Sequence, residues 1–259
     1  MKDLIRRVVY GRPSEESKLI AKASAYPRYT PTTVAYRNFR IKVTDFLSVA
    51  WQIKEFFADQ RMKFSTATER PVIIDCGANV GVSILYYKSL FPQAMITCFE
   101  PDPAVHACLK ENLQANGIAN VECRTEAVWV DGNGVSFGSE GADGGSIMRS
   151  VNAVHLPSVR LKDVLRDHLA IDLLKIDIEG AEVPVILDCG EELKRVKYLY
   201  VEYHSFRDKP QELHRMLTLL SELGFRYYMD RIGVHHKHPF AGLEPAEMDM
   251  QLDIHAIRE

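Results

Sequence analysis

Asp75-Cys76-Gly77-Ala78-Asn79-Val80-Gly81 is the first stretch of this chain whose residue types and spacing point to chemistry. Gly77 and Gly81 carry no Cβ, so the backbone can turn tightly there and come close to a ligand. Asp75, at the end of the apolar run Val72-Ile73-Ile74, reads as an anion facing a crevice. A dinucleotide site would want G-x-G-x-x-G, with a pyrophosphate on the following helix N-terminus. Asn79 stands where that pattern wants glycine, and an anion already occupies the turn. This suits a nucleoside cofactor with a cationic amino group and no phosphate, of which S-adenosylmethionine is one. Phe99-Glu100-Pro101 adds to it, because an acidic residue about 20 positions past a glycine loop accepts hydrogen bonds from ribose hydroxyls. Glu126-Ala127-Val128 ends a third apolar run where small groups can flank an adenine, although core packing explains Ala127 and Val128 equally well.

A second group of reactive side chains lies further along. Asp177 follows an apolar segment, with Lys175 two residues back on the same strand face. The Lys175–Asp177 pair reads either as part of a reactive site or as an ion pair holding a loop. Glu179 and Glu182 read as helix N-terminal charges. Glu202 and His204 are also two apart, so Asp177, Glu202 and His204 are expected to converge on one small volume. Two roles fit. His204 can be a general base, its unperturbed pKa lying near working pH, with Asp177 and Glu202 positioning the substrate. Alternatively, Asp177, Glu202 and His204 can ligate a divalent cation. The first is preferred, so no metal is expected.

These residues need a scaffold that brings strand ends together. From Pro71 onward, apolar runs alternate with helical patterns: strands are expected at residues 72–74, 94–99, 121–130, 173–178, 198–203, 225–229 and 250–257. Helices are expected at 82–90, 103–115, 161–168, 182–189 and 210–223, several closed by Gly or Pro. Strands alternating with helices argue an α/β, doubly wound, mainly parallel sheet, whose ligands sit outside the carboxyl ends of the strands. Residues 131–158, rich in Gly and Ser, read as a hairpin excursion. Residues 1–70 form an N-terminal extension: a Tyr- and Pro-punctuated loop region with short helices, an extended stretch from Thr33 to Val43, and a helix after Asp45 carrying Phe46, Val49, Ile53, Phe56 and Phe57. Residues 71–259 form the main domain.

Lys175-Ile176-Asp177-Ile178-Glu179-Gly180-Ala181-Glu182, with Asp75–Gly81, Phe99-Glu100-Pro101 and Val201-Glu202-Tyr203-His204, resembles the signature of the FkbM family of methyltransferases, from about Pro71 to the C-terminus. The resemblance implies a class I, Rossmann-like three-layer sandwich, with a mainly parallel seven-stranded sheet and an antiparallel last strand. It also implies S-adenosylmethionine as cofactor and O-methylation of a natural product or saccharide hydroxyl. The catalytic group is then His204, Asp177, Glu202 and Lys175. The cofactor group is Asp75, Gly77, Ala78, Asn79, Gly81, Glu100, Pro101, Glu126, Ala127 and Asp177. Gly144-Gly145-Ser146 resembles the family's Gly-Ser loop, and reads equally as a plain turn.

Composition narrows the alternatives. A formal charge of -3 shows no bias toward nucleic acid. No apolar run approaches the roughly 20 residues that span a bilayer, and Met1–Arg7 lacks a signal-type apolar core, so a cytoplasmic protein is expected. The 5 cysteines form no C-x-x-C pair and suggest neither zinc nor disulfides. His235, His236 and His238 read as a solvated loop near the acceptor rim. Tyr26–Tyr36 reads as a substrate lid, a contact between two copies, or ordinary packing. A nicotinamide-dependent oxidoreductase and a non-catalytic binding module are the competing functions. Asn79 and Asp75 count against the first, and the Asp177/His204 pairing counts against the second.

Overall fold

The computed structural model describes residues 14–138, 153–233 and 248–259, together with residues 236, 238 and 240. Helix α1 (Glu15–Ser24) begins at Ser14, whose hydroxyl accepts the Ser17 amide at 3.1 Å. Glu15 and Glu16 occupy its first turn, where the helix dipole favours anions. Strands β1 (Thr32–Tyr36) and β2 (Phe39–Val43) pair antiparallel, so the extended stretch expected there is a hairpin, turned at Arg37 with φ 51°. Helix α2 (Phe46–Ile53) follows and widens into a π-helical turn at Lys54–Asp59.

The wound sheet starts with β3 (Val72–Cys76), α3 (Val82–Leu90), β4 (Met95–Phe99), α4 (Pro103–Ala115) and β5 (Val121–Arg124). A single strand was expected over 121–130, but the chain leaves the sheet after Arg124. Because β5 is the edge strand, the next segment has no outer neighbour to pair with there. It becomes β6 (Ala127–Trp129). The excursion follows as the expected hairpin, β7 (Val135–Gly138) antiparallel to β8 (Ala153–Leu156), and β9 (Ser158–Arg160) then runs parallel to β6. After these come α5 (Leu161–Arg166), β10 (Ile171–Ile176), α6 (Glu182–Cys189), β11 (Val196–Phe206), α7 (Leu213–Glu222), β12 (Arg226–Ile232) and β13 (Met248–Ile257).

Among the described residues the central sheet has 7 strands in the order β12-β13-β11-β10-β3-β4-β5. β3, β4, β5, β10 and β11 run parallel, and β13, the last in the chain, is antiparallel to both β11 and β12. Strand order reverses between β3 and β10, which opens a crevice above their carboxyl ends. Successive residues of each strand feed opposite cores: Ile73 and Leu173 enter one, Ile74 and Leu174 the other. A strand buried on both faces in this way explains the continuous apolar runs in the sequence.

The first core continues into the N-terminal region without a seam, joining Ile41, Val43, Ile53 and Phe57 to Ile73, Tyr86 and Leu109. Two asparagines of α4 dock the hairpin by imitating a strand edge. The Asn112 side chain accepts the Lys42 amide at 2.7 Å and donates to the Lys42 carbonyl at 2.8 Å, and Asn116 does the same for Arg40 at 2.9 Å in each direction. Residues 32–59 are thereby fixed above the crevice. No helix of the described residues is long and apolar enough to cross a membrane.

Candidate active site

The glycine loop leaves β3 at Cys76 and bonds inward along its whole length. The amides of Gly77 and Ala78 both donate to the Phe99 carbonyl at 3.0 Å. The Asn79 amide donates to Glu100 Oε2 at 2.9 Å, that of Val80 to Asn79 Oδ1 at 2.6 Å, and that of Gly81 to the Ala78 carbonyl at 2.9 Å. All five loop amides are therefore used within the protein, and none is left to cradle a phosphate. Gly77 has φ +89°, and a Cβ built on it would lie 1.8 Å from the Asp177 carbonyl oxygen. Gly77→Ala is expected to destabilise the protein by at least about 1–3 kcal/mol, the usual cost of such a backbone conformation, and to abolish cofactor binding because the loop must shift. Urea unfolding and cofactor titration read the two effects separately; wild-type behaviour in both would contradict this account of the turn.

Lys175 sits beneath the loop, almost wholly buried. Its ammonium donates to the Gly77 carbonyl at 2.9 Å and lies 3.2 Å from Asp75 and 3.3 Å from Asp177. Burial alone would pull this lysine toward neutrality. The charges of Asp75, Asp177 and Glu202 outweigh burial and hold its pKa above the ordinary value. Asp75 thus differs from expectation. It is fully buried and does not line the crevice, because parallel register sets it directly opposite Lys175, and Ser83 donates to its other oxygen at 2.5 Å. Asp75 shapes the loop from behind.

A cavity of about 430 Å³ opens above the strand ends. Gly77, Ala78, Asn79, Glu100, Pro101 and Ala127 line it as expected, whereas Gly81 lies under the loop as the left-handed residue that starts α3. Glu100 also accepts the Asp102 amide at 2.9 Å, and burial pushes its carboxyl up to about 8. Glu126 is a correction. It pairs with Arg124 at 2.6 Å and does not reach the cavity, because the alternation that turns Ala127 inward turns its neighbour outward.

Lys175, Asp177 and Glu202 line the cavity on the β10–β11 side, with Glu179 and Gln251 also in its wall. His204 does not; its side chain is 1% exposed and stands behind this wall. Its Nδ1 bonds Glu182 Oε1 at 3.0 Å, while Nε2 lies 3.5 Å from Glu202 and 3.6 Å from Glu179. Burial would lower the imidazole pKa, but the carboxylates of Glu179 and Glu182 prevail and raise it well above the usual histidine value. Buried behind the wall and bonded to Glu182, His204 does not suit its expected role as the general base. Glu182 also accepts the Gly180 amide at 2.9 Å.

Asp177, Glu202 and His204, the alternative metal set, do not come together as one group. Instead, ligand atoms of Asp177, Glu179 and His204 lie within 4.8 Å of one another, as do those of Glu55, Glu202 and Asp253. Glu55, Trp51 and Gln52 come from α2 and its π-turn, and sequence reasoning did not single them out. Glu55 is pushed up to about 8 by burial and by the charges of Glu202 and Asp253. From the Tyr26–Tyr36 stretch, Arg28 alone reaches the cavity among the described residues, while Tyr26 packs on Phe46 and Tyr36 donates to Glu16. Gly144-Gly145-Ser146 and His235 lie outside the described residues. His236 contacts the Asp249 carbonyl at 3.2 Å.

A parallel sheet with one antiparallel final strand, reversing above a glycine loop and a strand-end acid, is the architecture of class I S-adenosylmethionine-dependent methyltransferases. A solved methyltransferase of this type from Agrobacterium tumefaciens shares the fold, with a TM-score of 0.51 at 11% identity over 90% of this chain and 72% of that one. The chain belongs to the FkbM methyltransferase domain family, whose family model matches residues 75–227. It is 30% identical to methyltransferase sdnD of Sordaria araneosa over 222 residues, covering 69% of this chain and 82% of that one. It is also 31% identical to the 2-O-methyltransferase NoeI of Sinorhizobium fredii over 156 residues, 51% of this chain and 63% of that one.

Proposed function

We propose that the protein transfers the methyl group of S-adenosylmethionine to a hydroxyl of a small molecule or saccharide. One observation carries the choice of cofactor. The loop amides at residues 77–81 are all satisfied internally, so the turn accommodates a nucleoside but offers no cradle to the pyrophosphate of a nicotinamide dinucleotide. Glu100, a buried acid lining the cavity, is placed for ribose hydroxyls, and Ala127 and Phe137 offer small and flat surfaces to an adenine. When bound, the cofactor supplies an electrophilic methyl on a sulfonium. The 2-O-methyltransferase among the relatives supports oxygen as nucleophile.

The protein's own contribution is to orient the acceptor and take its proton. Glu202 is the group we assign to that step. It lines the cavity, and burial together with the Asp177 charge holds its pKa above the ordinary carboxylate value. Glu202, lining the cavity, would accept the proton of the acceptor hydroxyl as that hydroxyl is methylated. Gln251 donates to Glu202 at 2.5 Å and holds it in place. Asp177, fixed by Lys175, lines the same cavity beside the glycine loop. Residues 14–64 act as the acceptor-side wall.

Thermal melts with S-adenosylmethionine, S-adenosylhomocysteine and NAD test the reading. A ligand at 100 times its Kd stabilises by about 2.7 kcal/mol, so the two sulfur compounds should raise the melting temperature by several degrees and NAD should not. Stabilisation by NAD alone would overturn it. Binding of the sulfur compounds without methylation of any acceptor would favour a binding module.

A further inference from the structure

The acceptor end of the cavity is built from acids. Glu55, Asp177, Glu179 and Glu202 line it, and the basic residues among the described lining are Arg28 and Lys175. Both are committed elsewhere: Lys175 to Asp75, Asp177 and the Gly77 carbonyl, and Arg28 to Asp45 at 2.6 Å. Behind the wall, His204 serves Glu179, Glu182 and Glu202, and Arg61 serves Asp253. Among the described residues no cation lies within 4 Å of Glu55, whose polar contact is the Tyr200 hydroxyl at 3.5 Å. Carboxylates gathered in a half-closed cavity repel one another and lose hydration, an arrangement that a bound cation relieves. Asp177 shares Lys175, and Glu179 and Glu202 share His204, so Glu55 is the acid of this end with no cation within 4 Å among the described residues. Trp51, 54% exposed at the cavity rim, and Phe56 beside Glu55 add aromatic faces that favour a cation.

We propose that the acceptor is an amino alcohol: its ammonium group is held by Glu55, and its neighbouring hydroxyl is presented to Glu202. Oxygens of Glu55 and Glu202 lie within 4.8 Å of each other, a spacing that an ammonium and a hydroxyl on adjacent or next-adjacent carbons can meet, as in an amino sugar. The site is supplied jointly by the N-terminal region and the sheet, Glu55 from the π-helical turn after α2 and Glu202 from β11. The proposal rests on the methyl-transfer reading of the same cavity, and it adds a charge requirement to that reading.

The experiment uses the full chain saturated with S-adenosylhomocysteine and matched probes: D-glucosamine against D-glucose and N-acetyl-D-glucosamine, and 2-amino-1-phenylethanol against 1-phenyl-1,2-ethanediol. Binding is followed by the fluorescence of Trp51, with Trp51→Phe identifying its share of the signal. At least one amine should bind about tenfold more tightly than its neutral partners, the factor expected of one half-buried charge pair. Glu55→Gln should erase that preference while S-adenosylhomocysteine still binds with its wild-type Kd. Equal binding within each set, absence of binding by every amine, or a preference that survives Glu55→Gln would overturn the proposal and leave the methyl-transfer reading standing. A rise in melting temperature with magnesium chloride alone, lost in Glu55→Gln, would also overturn it by assigning the site to a metal. Failure of S-adenosylhomocysteine itself to bind would sink the methyl-transfer reading and this proposal with it.

Discussion

Lys175→Met is expected to lower the unfolding free energy by about 3–5 kcal/mol, the loss typical when one partner of a buried ion pair is removed. That is a large share of the 5–15 kcal/mol available to a domain of this kind. The reason lies in what the ammonium leaves behind. Asp75 is fully buried, and its remaining bond is from the Ser83 hydroxyl. Asp177 loses the same cation, and the Gly77 carbonyl loses its donor. Methionine fills the space of the lysine stem, so the effect reports the charge rather than a void. The double variant Lys175→Met/Asp75→Asn should recover part of the loss, because it removes the anion stranded by the single change. Urea unfolding of the wild type, Lys175→Met, Asp75→Asn and the double variant measures this. A single-variant loss below 1 kcal/mol, or no recovery in the double, would mean that the pair is not what holds the loop. Cofactor affinity should fall in Lys175→Met as well, since the Gly77 carbonyl is the roof of the same bond.

How much of this was legible beforehand depended on whether a residue's partner was near it in sequence or near it only in space. Val72-Ile73-Ile74, Gly77 and Gly81 act locally, and the strand, the turn and the helix start follow from their types. Glu100 was likewise legible, because a strand end above a glycine loop has few directions in which to point. Asp75 was misjudged because alternation predicts a face but not a depth; the neighbouring strand that buries it begins almost 100 residues later. His204 suffered in the same way. Its two-residue spacing from Glu202 correctly placed both on one face, yet the Glu182 carboxylate that claims its Nδ1 comes from the helix before the strand. Glu55 gave no signal at all. In a helical pattern it reads as an ordinary exposed acid between Lys54 and Phe56, and the packing of Phe56 and Phe57 on Tyr86 and Tyr87 of α3 brings its turn to the cavity. The acceptor side was therefore the least legible, being assembled from segments far apart in the chain.

Glu202 and His204 should separate sharply in kinetics, and the difference decides which of them takes the proton. Glu202→Gln is expected to lower kcat by about 10²–10⁴-fold, the usual worth of a general base, at every pH and with cofactor affinity retained. Glutamine keeps the shape and the contact to Gln251 but cannot accept a proton. His204→Gln should act differently, because the imidazolium does not line the cavity. Its removal withdraws the positive charge shared by Glu179, Glu182 and Glu202. Glu202 then loses the imidazolium beside it, so its pKa climbs further and the rising limb of the pH–kcat profile moves to higher pH. Activity lost near neutrality should return at alkaline pH. The same variant should also be less stable wherever wild-type His204 is charged. The folded-state pKa of this histidine is raised, so its stabilisation is complete below the ordinary histidine value and fades only as pH passes the folded one. If His204→Gln instead gave a flat loss at all pH while Glu202→Gln remained active, the histidine would be the base after all, reaching the acceptor through a wall that must then open.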